Sequence, residues 1–214
     1  MKIKSIQGGF DKNCSYLIWC ESTKIAGIID ASVNITEIYA YVEMYDLIME
    51  KIFITHTHFD HINFLDDIFY QFPHVQVCGF EYPEDKLGNN YRKLKHHEII
   101  PLGSEILTAL HTPGHYPDSL CFWNKKENCI FTGDTMFVGR TGRTIGAKSN
   151  ISDLYISIYN HLLKLPEKTI IYPGHHYGYT PSITLKKNIS ISPLLQCNSE
   201  EEFIRIMTDY EKNR

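Results

Sequence analysis

Short apolar runs dominate the pattern of hydrophobic and polar positions along this chain. Near the start they cover residues 2–7, 15–20 and 24–30, and a further run, KIFIT, covers 51–55. Short runs of apolar and β-branched residues between turn-forming residues are typical of β-strands. The same reasoning predicts later strands at 75–78, 105–111, 119–123, 128–132 and 168–172. The chain is therefore predicted to consist mainly of short strands.

Four segments show the spacing of helices instead. The first, NITEIYAYVEMYDLIME (34–50), keeps apolar residues at helical spacing as far as Ile48. Asn34 followed by Glu37 predicts a capping box at its start. Further helices are predicted at about 62–71, 152–165 and 199–212, the last with Ser199 and Glu202 as a second capping box.

The order of these elements predicts the architecture. A capped helix followed by a strand that ends in a histidine occurs twice, at 34–58 and 152–175. This repetition predicts two similar halves, each contributing one sheet with helices outside it. Roughly ten short strands with few helices fit two packed sheets better than one doubly wound sheet. No linker or low-complexity segment divides the chain, so we interpret 1–214 as one α+β domain.

Composition excludes several classes of partner. The formal net charge is −4 and 21% of the residues are charged, which argues against a nucleic-acid or anionic-membrane surface. No apolar run approaches the roughly 20 residues that span a bilayer, and the N-terminus lacks the apolar core of a secretory leader. We therefore expect a cytoplasmic protein with no membrane partner. The six cysteines form no CxxC pair and are interpreted as buried free thiols.

Residues of the metal-ligand type follow four of the predicted strands. KIFIT runs directly into HTHFDH, which contains three histidines and one aspartate: His56, His58, Asp60 and His61. Three later strands each end in a glycine followed by one such residue, namely His115, Asp134 and His175. Glycine permits tight turns with unusual dihedral angles, so each side chain can be directed away from its strand end. If the four ends converge, they bring together five histidines and two aspartates.

The spacing of these residues predicts two metal ions. In an extended segment, residues two apart face the same side, so His56 and His58 can bind one ion together. Asp60 and His61 are adjacent and diverge, which suits a second ion nearby, and Asp134 is the best candidate for a bridging carboxylate. Such ions would lie roughly 3.5–4 Å apart with a hydroxide between them. The absence of cysteine argues against a purely structural zinc site. His74, His96, His97, His111 and His161 receive no role.

These motifs resemble those of the metallo-β-lactamase-fold hydrolases. THTHFDHI is similar to the T-H-x-H-x-D-H motif of that superfamily, and TPGHYPDS, FTGDTMF and YPGHHYG resemble its later motifs in the right order. The resemblance implies a four-layer αββα sandwich of two mixed sheets, with the site at one edge of both. It further implies a first metal bound by His56, His58 and His115, and a second bound by Asp60, His61 and His175, with Asp134 bridging. Zinc is the expected ion, with iron and manganese as alternatives.

Within the superfamily the chain most resembles glyoxalase II, or hydroxyacylglutathione hydrolase. The resemblance implies that Arg143 and Tyr177 contact the substrate. Two features differ from that enzyme. Few residues separate PGHHYG from PSITL, where glyoxalase II inserts further helices, and PLLQCNSEEEF carries acids where the family has basic glutathione contacts. We therefore expect a single domain without the extra C-terminal helical domain, acting on a small thioester or related ester.

The expected mechanism is hydrolysis by a hydroxide held between the two ions, with Asp60 and Asp134 as the catalytic carboxylates. Asp60 is expected to accept a hydrogen bond from the hydroxide. The first alternative is an oxygenase that resembles the persulfide dioxygenases, with one iron on His56, His115 and Asp134. The second is a nucleic-acid-processing or binding member of the superfamily, which the acidic balance disfavours.

Overall fold

The first half of the chain forms a six-stranded mixed sheet. In the computed structural model, which describes residues 1–80, 87 and 90–213, its strands follow one another in the order β1-β2-β3-β4-β5-β6. The first three are antiparallel and the last four are parallel to one another. Their bounds are β1 Lys2–Gly8, β2 Asn13–Trp19, β3 Ile25–Ile29, β4 Ile48–Phe53, β5 Gln76–Gly79 and β6 Tyr91–Lys93.

The second half forms another six-stranded sheet, in the order β14-β13-β10-β9-β8-β7. Only β10 and β13 pair in parallel among its described strands. A separate hairpin joins β11 to β12. The bounds are β7 Ile99–Leu102, β8 Glu105–His111, β9 Leu120–Asn124, β10 Cys129–Gly133, β11 Met136–Phe137, β12 Arg140–Thr141, β13 Ile170–Pro173 and β14 Ile183–Thr184.

Helices cover the outer face of each sheet. Their bounds are α1 Ile35–Met44, α2 Phe59–Ile62, α3 Leu65–Gln71, α4 Ile151–Ile156, α5 Leu185–Ile191 and α6 Glu200–Lys212. One apolar core lies between the first sheet and helices α1 and α3, and another lies between the second sheet and α4, α5 and α6. A third core, which includes Phe53, Phe122 and Phe131, fills the space between the sheets. The predicted four-layer α+β sandwich is therefore confirmed.

The first predicted helix is too long. It ends at Met44 rather than at residue 50, and Ile48 begins β4 beside Ile25 of β3. Asp46 adopts a left-handed backbone conformation with φ 51, which a continuing helix does not allow. The predicted capping box is also altered, because the Asn34 side chain accepts a hydrogen bond from the backbone N–H of Thr36 instead of Glu37.

The helix predicted at 152–165 is not uniform. It starts as α4, widens into a π-helix over Ser157–His161 and tightens into a 3-10 turn over Leu162–Lys164. The last helix agrees with its predicted start, because the Ser199 hydroxyl accepts from the backbone N–H of Glu202. The Glu202 carboxylate completes the cap by accepting from the backbone N–H of Asn198.

Five short strands and two α-helices were not predicted: β6, β7, β11, β12, β14, α2 and α5. Each strand has two to four residues, too few to show a period. Strand β6 lies in the basic segment YRKLKHH, where Arg92 pairs with Glu98 at 2.7 Å. All six cysteines are buried and free, as predicted. Among the helices of the described residues, none has the combination of length and hydropathy that a bilayer span requires.

Gly114 is required where the loop after β8 crosses α4. Its φ is 136, and a Cβ there would lie 2.4 Å from the backbone nitrogen of Leu154. We expect Gly114→Ala to lower the free energy of unfolding of the metal-free protein by about 3 kcal/mol, from backbone strain and steric overlap. Urea denaturation measures this change. Gly146→Ala is the matched control, because its Cβ would meet nothing nearer than the Ser149 hydroxyl at 3.7 Å.

Candidate metal centre

All seven residues predicted as ligands meet at one edge of the two sheets. Three groups have possible ligand atoms within 4.8 Å of one another: His56, His58 and His115; His56, His61 and Asp134; and Asp60, His61 and His175. The segment after β4 and the turns after β8, β10 and β13 supply them. The strand ends therefore converge as the sequence predicted, and the first and third groups have the memberships expected for the two ions.

The first group consists of three ring nitrogens that point at a common position. His58 Nδ1 lies 3.0 Å from His56 Nε2 and 3.0 Å from His115 Nε2. Two ligands of a tetrahedral zinc ion with bonds of about 2.0–2.1 Å are separated by about 3.3 Å. The observed distances are close to that value. The group therefore has the size and the ligand chemistry of a divalent-cation site.

Asp60, His61 and His175, called the second group from here on, combine one carboxylate with two imidazoles. Asp60 Oδ2 lies 3.3 Å from His175 Nε2 and 3.7 Å from His61 Nε2. The two ring nitrogens are themselves 3.3 Å apart. Nitrogen and oxygen ligands at these distances suit a second first-row cation.

Asp134 lies between the two groups. Its Oδ2 is 3.5 Å from His115 Nε2 and 3.4 Å from His175 Nε2, and its Oδ1 is 3.3 Å from His61 Nε2. Oδ1 is buried and makes no hydrogen bond within the described residues. A buried carboxylate oxygen without a hydrogen bond is costly, and either a charged His61 ring at 3.3 Å or a bound cation would offset the cost. The location fits the bridging role predicted for Asp134.

Two glycines make room for this carboxylate. A Cβ on Gly174 would lie 2.4 Å from Asp134 Oδ1 and 2.8 Å from His61 Cε1. Gly133 has φ 48, and a Cβ there would lie 2.5 Å from the Thr55 hydroxyl. Gly133, before Asp134, is therefore required for a left-handed turn. Gly174, before His175, is required because the Asp134 carboxylate lies close to its backbone.

Hydrogen bonds to the far side of the rings orient four of the histidines. His61 Nδ1–H donates to Asp30 Oδ2 at 2.8 Å, and His175 Nδ1–H donates to the Asp11 carbonyl at 2.9 Å. His115 Nδ1–H donates to the Arg143 carbonyl at 2.8 Å. His56 Nδ1 lies 3.2 Å from the Thr55 hydroxyl. Each bond leaves Nε2 directed into the cluster, which is the usual way to orient a metal-binding imidazole.

Sequence reasoning missed Asp30. This carboxylate is 1% exposed and accepts three hydrogen bonds, from His61 Nδ1 at 2.8 Å and from the Thr55 backbone N–H and hydroxyl, both at 2.7 Å. It follows β3 directly, so it carries the same signal as the predicted ligands, an acidic residue immediately after an apolar strand.

Sequence reasoning also missed Asn13, the first residue of β2. Its side chain is fully buried, and Nδ2 donates to Asp60 Oδ2 at 3.0 Å. Its backbone forms an isolated bridge with His175. Asn13 therefore contacts two members of the second group and fixes the orientation of the Asp60 carboxylate.

We expect Asn13→Ala to weaken the binding of one divalent ion roughly tenfold to hundredfold, the usual cost of removing a partner of a ligand. The reason is that Asp60 loses the N–H that holds Oδ2. Titration of the metal-free protein against a chromophoric chelator measures the change. Asn124→Ala is the control, because that asparagine is also fully buried but donates to Glu105 instead. Equal ion affinity in both variants would contradict the role assigned to Asn13.

The histidines differ in charge in the metal-free protein. Burial, reinforced by neighbouring histidines, holds the pKa of His56 well below its usual value and lowers that of His58 to about 4. Burial also acts to lower the pKa of His175, but hydrogen bonds to Asp134 and Asp60 raise it to about 10. His56 and His58 are therefore neutral at neutral pH, as metal binding requires.

The carboxylates in the cluster are ionised. Burial acts to raise the pKa of Asp134 and of Asp60, but His61 and His175 together hold both below their usual values. Conversely, Asp134 and Asp30 raise the pKa of His61 well above its usual value, against the effect of burial. The protons on His61 and His175 occupy the position that a second cation would take, and its binding would release them.

A cavity of about 250 Å³ opens onto the cluster. Arg143 and Tyr177, the two predicted substrate contacts, both line it. The Tyr177 ring stacks on His175 at 4.8 Å, and its hydroxyl donates to Asp11 Oδ2 at 2.6 Å. The histidines that received no role, His74, His96, His97, His111 and His161, belong to none of the three groups of possible ligands, and neither does His176.

Comparison with known proteins agrees with the motifs. A probable hydroxyacylglutathione hydrolase of Schizosaccharomyces pombe is 34% identical over 79% of this chain and 66% of its own length, so the chain spans about two thirds of that relative. The probable polyketide biosynthesis zinc-dependent hydrolase PksB of Bacillus subtilis is 25% identical over 96% of this chain and 91% of its own length.

The fold has close counterparts among solved structures. The crystal structure of ETHE1 from Myxococcus xanthus superposes with a TM-score of 0.85 at 29% identity, and the match covers 98% of this chain and 91% of that one. The resemblance to glyoxalase II predicted from the motifs is confirmed by the hydroxyacylglutathione hydrolase relatives. The family model of the metallo-beta-lactamase superfamily matches residues 49–175. This chain therefore belongs to the metallo-beta-lactamase superfamily.

Proposed function

We propose that this protein is a metal-dependent hydrolase of small thioesters or related esters. The observation that carries the proposal is the pair of ligand groups beside a shared carboxylate, Asp134, which lines a cavity open to solvent. Hydrolysis needs an activated water and a site that polarises a carbonyl, and a two-cation centre supplies both.

The residues present fit two divalent cations, with zinc as the expected ion and iron or manganese as alternatives. His56, His58 and His115 would hold one, and Asp60, His61 and His175 the other, with Asp134 between them. When bound, such cations lower the pKa of water and withdraw charge from a carbonyl oxygen. The name of PksB, a zinc-dependent hydrolase, supports zinc.

Asp60 is suited to accept a hydrogen bond from the attacking water. Asn13 holds its Oδ2 at 3.0 Å, which leaves Oδ1 to accept the hydrogen bond. The low pKa of Asp60 keeps this carboxylate ionised, so it orients the water as a hydrogen-bond acceptor. Asp134 is also ionised, because its pKa is held below its usual value. Its negative charge would balance the positive charge of the bound cations.

A thiolate leaving group suits this cavity. Thiols have a pKa of about 8.5, so the departing sulfur needs little help from a general acid. No serine or cysteine is among the described residues that line the cavity, which agrees with attack by water rather than by a side chain. Arg143 would contact an anionic group of the substrate and Tyr177 its thiol portion; the position of both residues in the cavity lining supports these roles. The names of the hydroxyacylglutathione hydrolase relatives support a thioester substrate.

A second candidate is the oxygenase that the motifs also resemble, with one iron on His56, His115 and Asp134; the 3.5 Å between Asp134 Oδ2 and His115 Nε2 is compatible with a shared ion. Metal analysis after purification without added metal separates the two functions. Two ions per chain together with hydrolysis of S-lactoylglutathione or another thioester would support the proposed function. One iron per chain, oxygen consumption and no thioester hydrolysis would support the oxygenase and overturn the hydrolase.

A further inference from the structure

We propose that Phe10 and Phe59 form an apolar rim that binds the acyl group, so the substrate is a thioester with an aliphatic or aromatic acyl chain. The inference rests on the proposed function, because it names the substrate class of that same site. Phe10 and Phe59 line the cavity over the metal centre while remaining 75% and 74% exposed.

The exposure of these rings is unusual for their type. Phenylalanine is among the residues most often buried, and the third core of this protein buries Phe53, Phe122 and Phe131 completely. Phe10 lies in the loop of the β1–β2 hairpin and Phe59 is the first residue of α2, yet both border one cavity. Exposed aromatic side chains at the mouth of a cavity are characteristic of ligand contact.

The loop that carries Phe10 is held in a strained conformation. Gly9, Asp11 and Lys12 all have positive φ values, 64, 52 and 62, and left-handed backbone is unfavourable at the two residues that are not glycine. The conformation is fixed from the other half of the protein. The Asp11 carbonyl accepts from His175 Nδ1, and the Lys12 carbonyl accepts from the backbone N–H of His176 at 3.0 Å.

Phe59 is equally well fixed. It lies between two possible ligands, His58 and Asp60, and the backbone N–H of His61 donates to the His58 carbonyl at 3.0 Å. Both aromatic side chains therefore project from backbone that also positions the metal centre. Their distance from the reacting carbonyl is set by the same contacts that orient His175 and Asp60.

The polar groups of the cavity leave this rim apolar. Asp11 Oδ2 accepts from the Tyr177 hydroxyl, and Arg143 is the one lysine or arginine that the described part of the chain contributes to the lining. Arg143 suits an anionic group on the thiol portion. A hydrocarbon chain would remove Phe10 and Phe59 from water, whereas a short hydroxyacyl group would cover little of either ring.

The test compares acetyl, butanoyl, hexanoyl and benzoyl thioesters of N-acetylcysteamine with zinc-loaded protein. In the wild type we expect kcat/KM to rise at least tenfold from acetyl to hexanoyl. In Phe10→Ala/Phe59→Ala the hexanoyl-to-acetyl ratio should fall roughly tenfold, and Phe10→Leu/Phe59→Leu should restore most of it. Tyr70→Ala, which removes a 90% exposed aromatic ring on α3, should keep the wild-type ratio.

A binding measurement separates this inference from the proposed function. Calorimetric titration of zinc-loaded protein with hexanoate and with acetate requires no turnover. Hexanoate should bind at least tenfold more tightly than acetate, and the double alanine variant should lose the preference. If that holds but no thioester is hydrolysed, the rim stands and the proposed function fails. The opposite result is hydrolysis with the same hexanoyl-to-acetyl ratio of kcat/KM, and the same hexanoate-to-acetate ratio of affinity, in the wild type and the double alanine variant. It would overturn the apolar rim and leave the proposed function standing.

Discussion

Replacement of Asp134 with asparagine is expected to reduce kcat/KM for thioester hydrolysis at least a thousandfold and to leave at most one divalent ion per chain. The substituted side chain would keep the shape of the original but lose its negative charge, and an amide is a poor bridging ligand. The carboxylate oxygens lie within 3.5 Å of three imidazole nitrogens, those of His61, His115 and His175. Without this negative charge, the repulsion between two neighbouring cations is less well balanced. Binding of the second cation is therefore strongly disfavoured.

Metal content by plasma emission spectroscopy and steady-state rates give the two readouts for Asp134→Asn. Asp66→Asn is the matched control, because it removes one carboxylate from an exposed position on α3 and should keep the metal content and the rate of the wild type. Should Asp134→Asn bind two ions and retain more than a tenth of the wild-type rate, the bridging role would be wrong.

The ligand residues could be predicted because their signal is local. Four potential ligands occur within six positions directly after an apolar strand, and each later ligand directly follows a glycine at a strand end. Two local rules restrict where such residues can point: side chains alternate along a strand, and the backbone turns at a glycine. The sequence pattern therefore contained most of the geometry that the structure places around His56, Asp134 and His175.

The supporting residues could not be predicted in the same way, because their contacts cross the whole fold. Asn13 lies 47 positions from Asp60, and the Asp11 carbonyl lies 164 positions from His175. A lone asparagine in an apolar strand looks like any buried amide until the second half of the protein is placed against it. Asp30 was detectable in principle, since it follows β3, but one acidic residue after a strand is a common sequence feature.

The errors in secondary structure have local physical causes. Tyr45 and Ile48 continue the helical spacing of α1, but both are exposed, at 41% and 61%, so they never formed part of its buried face. The left-handed turn at Asp46 and the parallel pairing of β3 with β4 decided the boundary. Tertiary pairing of this kind overrides local helix propensity.

Replacement of Asp30 with asparagine is expected to weaken the binding of one ion tenfold to hundredfold and to destabilise the metal-free protein by about 3 kcal/mol. Asparagine tolerates the left-handed φ of 58 at this position, so the backbone is retained. The amide, however, accepts through one oxygen only, whereas the carboxylate accepts from Thr55 on one oxygen and from Thr55 and His61 on the other. The neutral His61 ring, the form that binds a metal, carries one proton. Without the Asp30 acceptor this proton can move from Nδ1 to Nε2, where an ion would bind.

Chelator competition and urea denaturation measure the two effects of Asp30→Asn separately. Asp118→Asn is a stringent control, because Asp118 is also buried but its carboxylate accepts from Thr57 and not from a histidine ring. We expect this control to lose stability while binding ions as the wild type does. If Asp30→Asn behaves in the same way, the carboxylate supports the fold alone. If only Asp30→Asn loses ion affinity, then the acidic residue at the end of β3 controls which nitrogen of His61 faces the metal centre.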